Sequence, residues 1–309
     1  MRSPAWLALA VLLCACGKAP PPANPQFSDA AAYTFRTFDG SDADLAFALR
    51  TLERQTYLGM DVEASDVKDR ALTPDHLIPA DVADITSPDG VDLGNALPVA
   101  VAGTSDFEVP DHARIPLLVD QRPVEPYSPD YYERTFYDDT QDCWLDQSCD
   151  ELLTFNDLVK KNFLMSVPYD FYKDFRWVDM NLPDPADVPA GEQAVDPVDP
   201  RWAFVARSWM IQSAWGDSGK TEIVQSYTIE VWIPRDGQGF VRTGTDQNAD
   251  GGTWTSDSTG GGTLRMLGSW AQTEFTGINP SDDLVAATTR SGIDNNMAAQ
   301  DAWLEAHPQ

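Results

Sequence analysis

The chain is 309 residues long, with 49 acidic against 21 basic residues, a formal net charge of −28 and 42% hydrophobic residues. That apolar content supports a buried core and excludes an acidic disordered tail, and so large a negative charge repels nucleic acid and anionic headgroups. A surface of this sign favours cations or basic partners, although solubility alone would also account for it.

The chain opens with Arg2 and an apolar run from Ala5 to Leu13, which is too short to span a bilayer and reads as an export signal. The run ends in Leu13-Cys14-Ala15-Cys16-Gly17. This stretch resembles the lipobox of bacterial lipoproteins, with Leu three positions before the cysteine and a small residue just before it. The resemblance covers the N-terminus only. It implies removal of residues 1–15, lipidation of Cys16 (palmitate among the acyl groups) and a membrane anchor. Gly17 is not the Asp that retains many such lipoproteins on the inner membrane, so an outer-membrane address is expected.

The mature chain would have 309 − 15 = 294 residues, and loss of Arg2 takes the charge to 20 − 49 = −29. Residues 16–35 contain a Pro-rich stretch, Lys18 to Pro25, read as a stiff tether. Residues 36–309 are read as one globular domain, with a helical and irregular part over 36–150 and mainly antiparallel sheet over 151–309.

Ser41 to about Leu58 reads as a helix, capped by Ser41 and striped by Leu45, Leu49, Leu52 and Thr56. Thr73-Pro74 and Ser128-Pro129 read as the starts of short helices. Between them, 79–126 is irregular, with brief apolar runs at Leu97–Ala102 and Ile115–Val119 that suit strands. Cys143 and Cys149 are the cysteines left after Cys14 and Cys16, and in an oxidising compartment they form a small disulfide loop.

Glu151–Lys161 reads as a further helix. Phe163–Val167 and Phe171–Met180 read as extended, and Pro183–Pro200, with three Asp-Pro pairs, as an acidic loop. Trp202–Trp215, Thr221–Ile233 and Thr263–Phe275 read as long strands of an antiparallel meander. Six of ten tryptophans lie between 202 and 270, suggesting an aromatic-rich sheet face. Ala298–Ala306 closes the chain as a short helix. The fold class is therefore α+β, an N-terminal helical and irregular layer on a C-terminal antiparallel meander or partial barrel.

Two stretches invite chemistry. Ala214-Trp215-Gly216-Asp217-Ser218-Gly219-Lys220-Thr221 resembles a Walker A loop, and its core, Gly216 to Gly219, resembles the nucleophile block of trypsin-like serine proteases. A phosphate-binding loop must open a helix, whereas 221–233 alternates with period two and ends at Pro234, so nucleotide binding is rejected. The protease reading needs a histidine base. The three histidines, His76, His112 and His307, all lack the family's sequence context, and Lys220 replaces the second Gly of its oxyanion hole. Gly216–Gly219 is read instead as a hairpin corner.

Asp246-Gln-Asn248-Ala-Asp250-Gly-Gly252 through Asp257 resembles the loop of EF-hand-like calcium sites. That resemblance implies Asp246, Asn248, Asp250 and Asp257 as side-chain ligands of Ca2+ and Gly252 as a carbonyl ligand; a plain polar loop is the alternative. Three functions stay open. The first is a non-catalytic lipoprotein that binds a protein, small molecule or glycan, or that supports the envelope. The others are a secreted carboxylate-dependent hydrolase and a calcium-stabilised adhesion module.

Overall fold

The computed structural model describes residues 26–63, 72–149, 151–162, 165–187, 199–216, 218–235, 238–242, 252–256 and 261–309. Its elements run α1 (Phe27–Thr37), α2 (Asp42–Glu63), β1 (Leu97–Ser105), α3 (Val109–His112), β2 (Tyr132–Phe136), β3 (Glu151–Lys161) and β4 (Ser166–Asp179). They continue with β5 (Trp202–Trp209), β6 (Ala214–Trp215), β7 (Thr221–Pro234), β8 (Gln238–Arg242), β9 (Gly252–Ser256), β10 (Thr263–Phe275) and α4 (Asp282–Ala306). The chain is α+β: an 8-stranded antiparallel sheet in the order β1-β10-β7-β5-β4-β3-β2, with β6 on β7, and β8-β9 as a separate pair.

Each face of the sheet buries a different set of residues because side chains alternate along every strand. One face, through Val205, Tyr227, Ile229, Val231, Met266 and Trp270, takes α1 and α2 against Phe35, Leu45, Leu49 and Leu52. Ser41 caps α2 as expected, its Oγ accepting from the Asp44 amide at 3.2 Å. α1 lies largely within the stretch read as tether, and its fully buried Phe35 puts it in the core.

Arginines clamp these helices to the sheet. Arg50 donates to the carbonyls of Met180 and Leu182, Arg176 to those of Phe38 and Gly40, and Arg201 pairs with Glu53 at 2.7 Å.

The opposite face is divided. Near β3, β4 and β5 it is a buried aromatic core in which Phe204 stacks on Trp232 with centroids 4.4 Å apart. Trp144 packs against Trp177 at 5.1 Å and donates its Nε1 to the Ala113 carbonyl at 2.9 Å. The Cys143–Cys149 disulfide flanks Trp144, with Cα atoms 5.4 Å apart. Its sequence separation is 6, so the double Cys→Ser variant is expected to lose about 2 kcal/mol of stability in chemical denaturation under non-reducing conditions.

Several expectations are corrected. Glu151–Lys161 is strand β3, not a helix: Leu152, Thr154, Asn156 and Leu158 alternate inward, and both edges are paired, to β2 and to β4. Leu152, Phe155 and Val159 also fall at helical spacing, and tertiary pairing overrides that pattern. Thr73-Pro74 and Ser128-Pro129 start no helix. The first segment lies against the core through Leu72 and Leu77, and the Ser128 amide closes a turn onto Glu125 before β2. Ile115–Leu117 is a 3-10 turn rather than a strand. Trp202–Trp215 breaks after Trp209 into β5 and β6, and the extended pieces around 166–179 are one strand, β4.

The last helix is far longer than expected, 25 residues. It begins where Ser281 accepts from the Leu284 amide, with Asp282 and Asp283 in its first turn. The tryptophans share no face. Trp232 points to the α4 side, Trp270 to the α1 side, and Trp215 is exposed.

Candidate functional site

Beyond the aromatic core, α4 crosses the same sheet face, held by Arg265, which bonds to the Met297 carbonyl and to Asp301 at 2.7 Å. Between sheet and helix lies a cavity of about 190 Å³. It exists because the residues facing it are small. Ser208, Ser226, Thr228 and Ser269 line it from the strands, and Thr288, Thr289 and Gly292 from α4. Its apolar wall is formed by Leu158, Met165, Phe171, Ile223, Leu267 and Ile293. The space is comparable to the ~150 Å³ apolar cavities that hold a benzene-sized molecule, which suits a compact ligand.

The floor is polar but internally paired. Lys173 on β4 and Glu230 on β7 meet at 2.5 Å, their side chains 10% and 9% exposed. Between them, on the register that pairs Lys173 with Ser208 and Ser208 with Thr228, the two hydroxyls bond at 2.7 Å. Glu125 also lines the cavity, accepting from Asn296 Nδ2 at 2.5 Å with Lys160 at 3.7 Å. Burial raises the phenols of Tyr132 and Tyr169 above the ordinary tyrosine range, so both stay neutral donors. Ser128 Oγ, at 0% exposure, and Asn296 Oδ1 have no hydrogen-bond partner among the described residues.

The residues singled out from sequence lie elsewhere. Cys16 is outside the described residues, as are Asp246, Asn248, Asp250 and Asp257; Gly252 is the first residue of β9. Among the described residues, no group of three or more His, Cys, Asp or Glu side chains could hold a metal. No described helix is long and apolar enough to cross a membrane.

The described residues of the 214–221 stretch form a hairpin corner between β6 and β7. The Gly216 amide donates to the Thr221 carbonyl at 2.9 Å, and Gly219 takes φ +64°. A Cβ at Gly216 would stand 2.6 Å from the Ser166 carbonyl oxygen, so glycine is required by close approach rather than by chemistry. Ser218 is exposed. His112 is fully buried, and burial, with Arg265 nearby, pushes its imidazole down to about 3, so it packs as a neutral ring against Phe107.

Lys173, Glu230, Glu125 and Asn296 drew no attention in the sequence. The accessible signal was the polar run Ser226, Thr228, Glu230, which alternates with Tyr227, Ile229 and Val231 on β7.

No protein-family model matches this chain, and no curated protein matches it. Among solved structures the chain is similar to the crystal structure of TTHA0849 from Thermus thermophilus, at 10% sequence identity and a TM-score of 0.34. That similarity covers 69% of this chain and 99% of the other.

Proposed function

We propose that the protein is a membrane-anchored, extracytoplasmic binding protein, lipidated at Cys16 and facing the periplasm or surface from the outer membrane. It holds a small, largely apolar ligand between the sheet and α4. The observation that carries this reading is the cavity itself, a concave, mostly apolar space with a few convergent polar groups, which is the form that small-molecule sites take.

The pairing of its carboxylates favours binding over hydrolysis. A carboxylate-dependent hydrolase wants two acids with different protonation roles, whereas Glu125 and Glu230 each face a lysine. Burying an apolar ligand against Leu267, Phe171 and Ile293 contributes about 25 cal/mol per Å² of surface removed from water, which supports selective retention without chemistry.

The test has two arms. Leu267→Trp fills the cavity, and it is expected to weaken binding of toluene or benzyl alcohol, read by saturation-transfer NMR, at least tenfold with the fold retained by circular dichroism. Unchanged binding would remove the cavity as the site. Cys16→Ala is expected to move the protein from the membrane to the soluble fraction; continued membrane association would remove the lipid anchor.

A further inference from the structure

A recess of about 20 Å³ adjoins the cavity, the two sharing Glu125, Glu230, Leu267, Ile293 and Asn296. It has room for one water-sized group. Three residues of its lining each carry a buried polar atom that has no hydrogen-bond partner among the described residues: Trp232 Nε1, Arg265 Nε and Asn296 Oδ1. Their residues are 6%, 4% and 8% exposed. Two of these atoms are donors and one is an acceptor. A hydroxyl oxygen answers that set, since it accepts twice and donates once, whereas a carbonyl would leave Asn296 Oδ1 unanswered.

Charge narrows the ligand further. Around cavity and recess, Lys173 is paired with Glu230, Lys160 with Glu125 and Arg265 with Asp301. These pairs cancel. A carboxylate or ammonium on the ligand would enter a partly closed space whose described residues offer no uncompensated charge of opposite sign. A hydrocarbon would enter but leave the three polar atoms unanswered.

Resting on the cavity reading above, we propose that the ligand class is a neutral, compact alcohol or phenol. Its hydroxyl sits in the recess between Trp232, Arg265 and Asn296, and its apolar body lies in the cavity against Leu267 and Ile293. Trp232 and Asn296 are thus the residues that set specificity, and Lys173–Glu230 keeps the floor neutral.

The test compares toluene, benzyl alcohol, benzoate and benzylamine, matched in ring and size, against the full chain by competition-based ligand-observed NMR. Benzyl alcohol is expected to bind about tenfold more tightly than toluene, the span of one or two net hydrogen bonds. Benzoate and benzylamine are expected to bind more weakly than toluene. Trp232→Phe and Asn296→Leu should each erase most of the alcohol preference and keep toluene affinity, which also reports that the fold survives. Equal affinity of toluene and benzyl alcohol would overturn the proposal, with the recess then a water site, as would a preference for either ion. Binding of none of the four would overturn the cavity reading along with it.

Discussion

Glu230→Gln is expected to destabilise the protein by about 3–5 kcal/mol, because it leaves the Lys173 ammonium in the cavity floor without its counter-charge. The pair is deep, at 2.5 Å and one-tenth exposed on each side, and it spans β4 and β7 across β5. Glutamine keeps the shape and can still accept one hydrogen bond, so the loss reports charge rather than packing. The cost should be recovered in large part by the double variant Lys173→Met, Glu230→Leu, since two apolar groups of similar volume carry no desolvation penalty. Urea denaturation of the three proteins, with equal m-values as a control, checks this. A loss below about 1 kcal/mol for Glu230→Gln would mean that water screens the pair as it does at a surface.

The features that made the sheet legible in the sequence are the same ones that hid the site. β7 and β10 were readable because Tyr227, Ile229 and Val231, or Leu264, Met266 and Trp270, recur at period two and are buried under α1 and α2. The opposite face of those strands carries Ser226, Thr228, Glu230 and Ser269, which on paper reads as the solvent side of an amphipathic strand. Only α4, packed over them, turns that face inward. α4 escaped full recognition for a matching reason. Its stretch up to Asn296 presents Thr288, Thr289, Gly292 and Asn296 to the sheet instead of an apolar stripe, and that lack of bulk leaves the cavity open. The Lys173–Glu230 pair was unreadable because the residues stand 57 positions apart on strands that are not neighbours. The hairpin corner at Gly216–Gly219 and the Cys143–Cys149 bridge were readable because both are decided within a few residues.

Arg207→Met is expected to cost about 2–3 kcal/mol at pH 8 and clearly less at pH 5, and the difference between the two pH values is the informative quantity. Arg207 is 2% exposed on the α1 side of the sheet, held between the rings of Phe38 and Trp209 at 4.7 and 5.3 Å. It bonds Asp39 at 2.6 Å and Asp84 at 3.1 Å, tying the α1–α2 turn and the 84 loop to β5. Those carboxylates are reached by water, 44% and 37% exposed, which keeps the expected loss below that of a fully sealed pair.

Asp174 on β4 shares the cluster. Burial raises its carboxyl to about 7, Arg207 pulls it down, and Asp39 and Glu151 push it up. Asp39 is itself raised, chiefly by burial. Because the native pKa of Asp174 lies above the unfolded value of about 3.9, the native state holds the extra proton between those limits. Its contribution to stability is therefore full below about pH 4 and is lost as pH rises through 7. Removing Arg207 removes the downward pull, so the native pKa rises further and the loss extends to higher pH. Acid relieves the variant in part, because a protonated Asp174 no longer needs a cation. Asp174→Asn in the wild-type background should flatten the fall in stability between pH 4 and 7, as should Asp174→Asn added to Arg207→Met. Urea midpoints for these variants across pH 4–8 decide the matter, and a penalty for Arg207→Met that does not change with pH would show that Arg207 acts there through packing alone.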